Sequence, residues 1–205
     1  MLQALEGAMT ASAANIAGFG PHTRVAIACD TSGSMTATLS DKSRVQHMDV
    51  GLVLGVLLRQ VCRQVITGVF GTGYQTVQVP VGGVLAAVEQ LKRTNVGWAT
   101  NGHLVIEHLI GHKLVMDKVM LFTDMQLWNS YGDGNDLTRA WTAYKQMAPK
   151  AKLYIFDLVG YGQAPINLHQ GDVHLLAGWS DKVFDLLAQI EQGSNALEFI
   201  DAIEL

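Results

Sequence analysis

Short apolar runs alternate with longer, helix-patterned segments along most of the chain. The short runs are rich in Val, Ile, Leu and Phe and end near Gly or Asp, which favours buried strands. In the longer segments apolar residues recur at three- and four-residue spacing, which predicts helices. The predicted strands are 24–29, 65–70, 74–79, 118–123, 152–158 and 173–176, and the predicted helices are 44–63, 81–91, 103–112, 136–147 and 181–192.

This order of elements predicts an α/β fold with a doubly wound, mainly parallel sheet, because strands that alternate with helices are joined by right-handed crossovers. One pair of strands departs from the rule. Gly71-Thr72-Gly73 separates two strand-like runs and predicts a tight antiparallel turn, so that one edge strand runs against the others. The same glycines resemble the start of a dinucleotide-binding fingerprint, but a strand follows them and the third glycine is missing.

The two ends of the chain have a different pattern from the middle. Residues 1–21 are Ala-rich with loosely helical spacing, which predicts a flanking helix or a tether. Residues 22–192 contain the alternating elements and form the predicted domain. Residues 193–205 are a C-terminal extension that is apolar for a chain end, so we expect it to pack on the domain or to meet a neighbour.

Composition agrees with one domain that has a sizeable core. The chain has 205 residues, of which 49% are hydrophobic and 16% charged. Its net charge of −4 argues against a strong RNA-binding surface on this chain alone, since such surfaces are ordinarily basic. Cys29 and Cys62 lie in apolar stretches and predict buried thiols in a reducing compartment. No signal peptide opens the chain and no apolar run is long enough to cross a bilayer, so we expect a cytoplasmic protein.

The first predicted strand ends abruptly on small residues that carry oxygen. Asp30, Ser32 and Ser34 alternate along the segment Asp30-Thr31-Ser32-Gly33-Ser34. If the turn curls, one carboxylate and two hydroxyls converge on a small cation, and Gly33 is expected to supply the backbone freedom for the curl. The absence of thiol and imidazole from this set favours Mg²⁺ or Mn²⁺ over zinc.

Two further oxygen donors stand at places that complete such a site. Asp124 ends the strand 118–123, and Thr100 lies in the loop 97–102 just before a predicted helix. The carboxyl ends of neighbouring strands and the loops that leave them form one crevice in an open α/β sheet. We therefore predict a metal site that is formed by Asp30, Ser32, Ser34, Thr100 and Asp124.

This set resembles the metal-ion-dependent adhesion site of von Willebrand factor type A domains, which have a Rossmann-like fold. The resemblance spans roughly residues 22–192, about the size expected of a whole domain. It implies that Ser32 and Ser34 bind the metal directly and that Thr100 binds directly or through water. Asp30 and Asp124 would act through water. Trp98 and Ala99 stand where the family commonly has small residues, so Thr94 is the alternative to Thr100.

Within that family the sequence is most similar to the type A domain of Ro (TROVE) proteins. The similarity rests on residues 28–35, on Thr100-Asn101-Gly102 and on Phe122-Thr123-Asp124. It implies a ribonucleoprotein role in small non-coding RNA binding and RNA quality control. RNA would bind mainly through helical repeats outside this chain, while an acidic group of a protein partner would complete the metal site.

Enzymatic readings of the same residues are less consistent with the sequence. A phosphohydrolase of the haloacid dehalogenase type needs a second Asp two residues after the first, where this chain has Ser32. Neither serine lies in Gly-x-Ser-x-Gly, and no phosphate-binding P-loop is present. We expect an interaction module and not an enzyme. A generic intracellular type A domain that works with an ATPase, without an RNA role, is the alternative.

Two other features could add ligands or contacts. His108 and His112 are four residues apart on a predicted helix and could bind zinc, although solvated or capping histidines are the more common case. Residues Gln126, Trp128, Asn129 and Tyr131 follow Asp124 and are predicted to border the same crevice, with exposed aromatic rings suited to a contact surface.

Overall fold

The computed structural model describes residues 2–13, 16, 19–126, 136–160, 166, 171–180 and 182–191. Within these residues the structure has six strands and six α-helices. The strands are β1 (Arg24–Asp30), β2 (Gln64–Phe70), β3 (Tyr74–Thr76), β4 (Lys118–Thr123), β5 (Lys152–Asp157) and β6 (Val173–Ala177). The helices are α1 (Leu2–Ala13), α2 (His47–Val61), α3 (Val84–Arg93), α4 (His103–Gly111), α5 (Asp136–Met147) and α6 (Lys182–Glu191).

The strands form one sheet in the order β3-β2-β1-β4-β5-β6. Every pair of neighbours is parallel except β2 and β3, which are antiparallel across the turn 71–73. The predicted fold class, a mainly parallel sheet with one antiparallel edge strand, is therefore confirmed. Because β1 and β4 lie side by side in the middle of the sheet, their carboxyl ends meet at the centre of one edge.

The element boundaries lie within three residues of the predicted ones, and the largest differences are at the start of α2, the start of α3 and the end of β3. Helix α2 begins at His47, three residues later than the apolar spacing indicates. The Asp49 carboxylate accepts the Gln46 N–H at 2.9 Å, which is half of a reciprocal cap and sets the first turn. Strand β3 ends at Thr76, so the predicted run to residue 79 is too long.

The sheet is covered on both faces because alternate side chains point to opposite sides. One face carries Ile27 and Phe122 and packs against α2, α3 and α6. The other carries Ala28 and Leu121 and packs against α4 and α5. All side chains of β4, from Lys118 to Thr123, are buried, as expected for a central strand in such a sheet.

Helix α2 approaches β1 closely enough that only glycine fits at the contact. A methyl group added at Gly55 would lie 2.6 Å from the Cys29 sulphur. The Cys29 thiol donates to the Gly51 carbonyl at 3.5 Å. Cys29 and Cys62 are both buried and unbridged, which confirms the predicted thiols.

The N-terminal helix α1 packs on the core through Met9 and is also joined to α3 by the Glu6 carboxylate. Glu6 accepts hydrogen bonds from the backbone N–H groups of Val84 and Leu85 and so caps the start of α3. The division into 1–21, 22–192 and 193–205 stays a prediction, and residues 192–205 lie outside the described part of the chain. No helix within the described ranges is both long and apolar enough to span a membrane.

Candidate metal site

Asp30 lies at the centre of the site and is held on both sides. The β1–β4 register pairs Cys29 with Phe122, which brings Asp30 beside Thr123. The Thr123 hydroxyl donates to Asp30 Oδ2 at 2.7 Å, and the Ser32 N–H donates to Asp30 Oδ1 at 2.8 Å. Because both carboxylate oxygens already accept a protein donor, Asp30 is well placed to shape the turn and to act on a metal through water.

The two serine hydroxyls lie next to each other at the start of the loop after β1. Ser32 Oγ and Ser34 Oγ are 3.2 Å apart, and Ser32 is fully buried. Two neighbouring ligands of an octahedral Mg²⁺ at its usual bond length are separated by about 3.0 Å. The spacing of the two hydroxyls therefore fits adjacent positions around one small cation.

The prediction that Gly33 supplies special backbone freedom for the turn after β1 is wrong. Gly33 has φ −61° and ψ −39°, a right-handed helical conformation that any residue can adopt. The curl instead comes from the short 3-10 turn Ser34–Thr36, with the Thr36 hydroxyl bonded to the Gly33 carbonyl at 2.6 Å. The unusual backbone of the site is at Met125, which has φ 65°.

The loop that carries Thr100 is fastened directly to the serine turn. The Gly33 N–H donates to the Trp98 carbonyl at 2.9 Å, and the Asn101 N–H donates to the Gly71 carbonyl at 3.0 Å. Thr100, between these two attachments, is buried. The alternative, Thr94, ends α3 and donates its hydroxyl to the Gln90 carbonyl at 3.0 Å. Thr100 is the better placed of the two threonines.

Asp124 is turned back toward the sheet by the left-handed residue that follows it. With Met125 at positive φ, the Gln126 N–H reaches Asp124 Oδ1 at 3.0 Å. Asp124 is almost completely buried. A methionine in this conformation is uncommon and marks a backbone that the surrounding structure enforces.

The electrostatics of the site favour a cation. Burial, together with the smaller effect of the nearby Asp124 charge, raises the pKa of Asp30 to about 7, although hydrogen bonds from Thr123 and Ser32 act to lower it. Among the described residues, neither Asp30 nor Asp124 has a lysine, arginine or histidine within ion-pair distance. Buried carboxylates are ordinarily paired or bound to metal, so this donor set fits a divalent ion.

The sequence predicts the strand that ends in Phe122-Thr123-Asp124. It does not reveal that the Thr123 hydroxyl donates to Asp30. The alternation along β1 and β4 puts Asp30 and Thr123 on the same face once the strand register is known. Of the residues predicted to border the crevice, Gln126 is half-buried. Trp128, Asn129 and Tyr131 lie outside the described residues.

The histidine pair on α4 is a helix end and not a cluster of ligands. The rings of His108 and His112 lie 4.0 Å apart, and a His112 ring nitrogen contacts the His108 carbonyl at 2.9 Å. Within the described ranges, no group of three or more His, Cys, Asp or Glu residues could hold a metal. The hydroxyl-rich crevice remains the candidate metal site because of its own oxygen donors, Asp30, Ser32 and Ser34.

Comparison with solved structures identifies the architecture. The Deinococcus radiodurans Ro (RSR) protein matches with a TM-score of 0.74 and 18% identity over 94% of this chain. The chain has the fold of a von Willebrand factor type A domain. It spans 38% of the length of that Ro protein chain.

A second type A structure is less similar. The manganese-loaded Plasmodium vivax TRAP protein matches with a TM-score of 0.48 and 13% identity, over 77% of this chain and 69% of that one. No family model matches the sequence, and no curated protein matches it either. The likeness to the Ro protein is therefore a likeness of fold.

Proposed function

We propose that this type A domain is a metal-dependent interaction module with an adhesion-type Mg²⁺ site. The observation that carries the proposal is a pair of buried carboxylates, Asp30 and Asp124, with no lysine, arginine or histidine of the described residues within ion-pair distance. Asp30 accepts the Thr123 hydroxyl, and Asp124 accepts the Gln126 N–H. A divalent cation from outside the chain would offset the charge of such a set. Mg²⁺ is the expected ion, and Mn²⁺ suits the same ligands.

Each side chain has a distinct part in this proposal. Ser32 and Ser34 would bind the ion through their hydroxyls, and Thr100 would bind directly or through water. Asp30 and Asp124 would balance the charge of the ion through water. Because the direct ligands are neutral, the bound ion would remain electrophilic and could accept one acidic oxygen of a protein partner. Recognition of that acidic group, without catalysis, is the proposed activity.

We further infer that the domain belongs to a Ro-like, cytoplasmic ribonucleoprotein. The match to the Ro protein over 94% of this chain supports the inference, and the chain would correspond to the 38% of a longer protein that it covers. Helical repeats elsewhere in that protein would bind small non-coding RNA. The net charge of −4 supports a role for this domain in contacting protein and not in holding RNA.

Isothermal titration with Mg²⁺ and Mn²⁺ tests the metal site. Wild-type protein should bind one ion, and Ser32→Ala should lose at least tenfold in affinity because it removes a buried hydroxyl ligand. Ser40→Ala is the matched control, since Ser40 is exposed in the loop before α2. Equal affinities for all three proteins would contradict the site.

Retention experiments with the full-length protein test the cellular role. Proteins and RNA retained in Mg²⁺ and in chelator would be identified and sequenced. Protein partners should be lost in chelator while small RNA is kept. Retention of the same proteins in chelator would contradict a metal-dependent module, and a complete lack of small RNA would favour a type A domain of another assembly.

A further inference from the structure

Trp98 is a large apolar side chain exposed beside the candidate metal site. Its side chain is 74% exposed, the highest value among the large apolar residues described as exposed. Its carbonyl accepts the Gly33 N–H at 2.9 Å, and a methyl group added at Gly33 would lie 3.4 Å from its Cε3 atom. The indole therefore adjoins the turn that carries Ser32 and Ser34.

The exposure of Trp98 is not the result of a loose loop. The Gly73 N–H donates to the Val96 carbonyl at 2.8 Å, and the Ala99 N–H donates to Thr72 Oγ1 at 3.1 Å. The Gly97 N–H closes a turn on Asn95 Oδ1 at 3.1 Å. The backbone on both sides of the indole is thus fixed before any partner arrives, which lowers the entropy lost on binding.

A cavity of about 260 Å³ lies next to Trp98. The wall on the side of the serine turn contains Thr31, Thr36 and Met48, and the other wall is the segment 92–98 at the end of α3. The cavity joins polar hydroxyls, a thioether and an indole. This mixed lining suits the side chains of a peptide better than a purely apolar ligand.

The cavity also has a cation that is available to a partner. Lys92 is held by Asp49 at 2.6 Å, with both side chains partly buried. Arg93 differs, because its side chain is 81% exposed and its nearest acidic contact, Glu89, is 3.6 Å away. Exposed pairs of this kind contribute little to stability, so Arg93 can exchange Glu89 for an acidic group of a ligand.

We propose that Trp98 and Arg93 form a second contact for an acidic peptide, beside the metal that takes its first carboxylate. This inference rests on the proposed function. One acidic residue of the peptide completes the metal site, the next part of the peptide packs on the Trp98 indole, and a second acidic residue pairs with Arg93. The domain thereby selects extended segments with two nearby acidic residues, and not single carboxylates.

The charge of the domain favours a peptide over a nucleic acid. A polyanion would need several cations along its path. The described lining of this cavity offers the exposed guanidinium of Arg93 and a lysine, Lys92, that Asp49 already holds, and the chain carries a net charge of −4. A peptide with two acidic residues needs only the metal and Arg93. Trp and Arg are also the residue types that most often dominate protein–protein contacts.

A random twelve-residue peptide library displayed on phage tests the inference. The library would be selected on the 205-residue chain in Mg²⁺ and eluted with EDTA. The selected peptides should contain two acidic residues within a few positions of each other. For the best peptide, fluorescence anisotropy should show at least tenfold weaker binding to Trp98→Ala and to Arg93→Glu.

Matched variants separate this contact from general effects of charge and hydrophobicity. Arg63→Glu makes the same charge change at an exposed residue near the opposite edge of the sheet, and Trp179→Ala removes another partly exposed indole. Both should bind the peptide as the wild type does. Changing the second acidic residue of the peptide to Lys should weaken binding to the wild type and restore it on Arg93→Glu.

The outcomes distinguish this inference from the proposed function. Peptides that bind in a Mg²⁺-dependent way but equally to wild type, Trp98→Ala and Arg93→Glu would overturn the inference and leave the metal site intact. A library without Mg²⁺-dependent binders, or tighter Trp98-dependent binding of single-stranded RNA, would also overturn it. Failure of Mg²⁺ to bind in calorimetry would instead overturn the proposed function itself.

Discussion

Buried acidic groups have different partners at the carboxyl ends and at the amino ends of the parallel strands, called here the carboxyl edge and the amino edge of the sheet. At the carboxyl edge, Asp30 and Asp124 are buried beside hydroxyls and backbone donors. At the amino edge, the Glu191 carboxylate at the end of α6 contacts the ammonium groups of Lys118 and Lys152. The amino edge contains its own counter-charges, whereas at the carboxyl edge no described lysine, arginine or histidine lies within ion-pair distance of Asp30 or Asp124. The comparison shows that, among the described residues, this chain pairs a buried acidic group with lysines at one edge and not at the other.

The pKa shifts at the two edges have opposite directions. Burial tends to raise the pKa of Glu191, but hydrogen bonds from Lys118 and Tyr154 and the charge of Lys118 lower it below its usual value. At Asp30 burial dominates and raises the pKa to about 7. The charged form is therefore favoured at the amino edge and disfavoured at the carboxyl edge, as long as no cation is bound.

The largest expected effect is the loss of the amino-edge cluster. Glu191→Ala would leave the largely buried Lys118 and its neighbour Lys152 facing each other without an acid. We expect a loss of about 3 kcal/mol in the free energy of unfolding, measured by chemical denaturation. The loss should be the same in Mg²⁺ and in chelator. If Mg²⁺ reduced the loss of stability in Glu191→Ala, the amino edge would also respond to the ion and the two edges would not differ as proposed.

At the carboxyl edge the expected effect comes from the ion. Mg²⁺ at 100 times its dissociation constant should stabilise the wild type by about 2.7 kcal/mol, measured as a shift in thermal unfolding. Asp124→Asn should abolish the shift because it removes a charge that the ion needs.

The metal-free behaviour of Asp124→Asn is the control for this experiment. In chelator the variant should be at least as stable as the wild type, since it removes a buried charge that has no basic partner among the described residues and can keep an oxygen for the Gln126 N–H. A loss of stability comparable to that of Glu191→Ala would show that Asp124 is balanced within the chain.

The strands and helices follow from local pattern, and the site follows only in part. Residues 118–123 and 136–147 were predicted with the bounds that the structure has, because apolar period and end signals agree there. The five proposed ligands could be named because parallel strands share one carboxyl edge. The hydrogen bond from Thr123 to Asp30 could not, since it depends on strand register.

Other features had no local signal. Nothing in the sequence around Met125 favours positive φ, because a methionine avoids that conformation unless tertiary contacts enforce it. The amino-edge cluster joins Glu191 to Lys118 and Lys152 across long stretches of chain, and only the docking of α6 brings them together. Gly33 shows the opposite error. The glycine was interpreted as a need for unusual backbone dihedral angles, but the turn has ordinary right-handed ones at this residue.

The pH dependence of stability should have opposite signs at the two edges. In the folded state, the raised pKa of Asp30 means that this group binds a proton that the unfolded chain has already released above pH of about 4. In chelator its contribution to stability is therefore present at low pH and lost as the pH rises toward about 7. Asp30→Asn should remove this decline when unfolding is measured from pH 4 to 8.

Glu191→Gln provides the opposite case. Because the folded state lowers the pKa of Glu191, its contribution is present above the unfolded pKa and lost as the pH falls below it. Between pH 6 and 8, Glu191→Gln should be less stable than the wild type by a constant amount. As the pH falls into the acid range, this difference in the free energy of unfolding should shrink. If both variants changed the pH profile with the same sign, the proposed electrostatic contrast would be wrong.

The smallest expected effect is at Gly33, although it lies between the two serines. Its right-handed backbone accepts any residue. The added methyl group would meet Trp98 at ordinary contact distances, 3.4 Å from the ring and 3.6 Å from the carbonyl oxygen. Gly33→Ala should therefore change the free energy of unfolding by less than about 1 kcal/mol, and its reduced freedom in the unfolded chain favours a small gain. Mg²⁺ affinity should stay within threefold of the wild type in calorimetry. A large loss would mean that the turn opens to another backbone conformation when the ion binds, so that the hydroxyl spacing of 3.2 Å would not be the one that holds the metal.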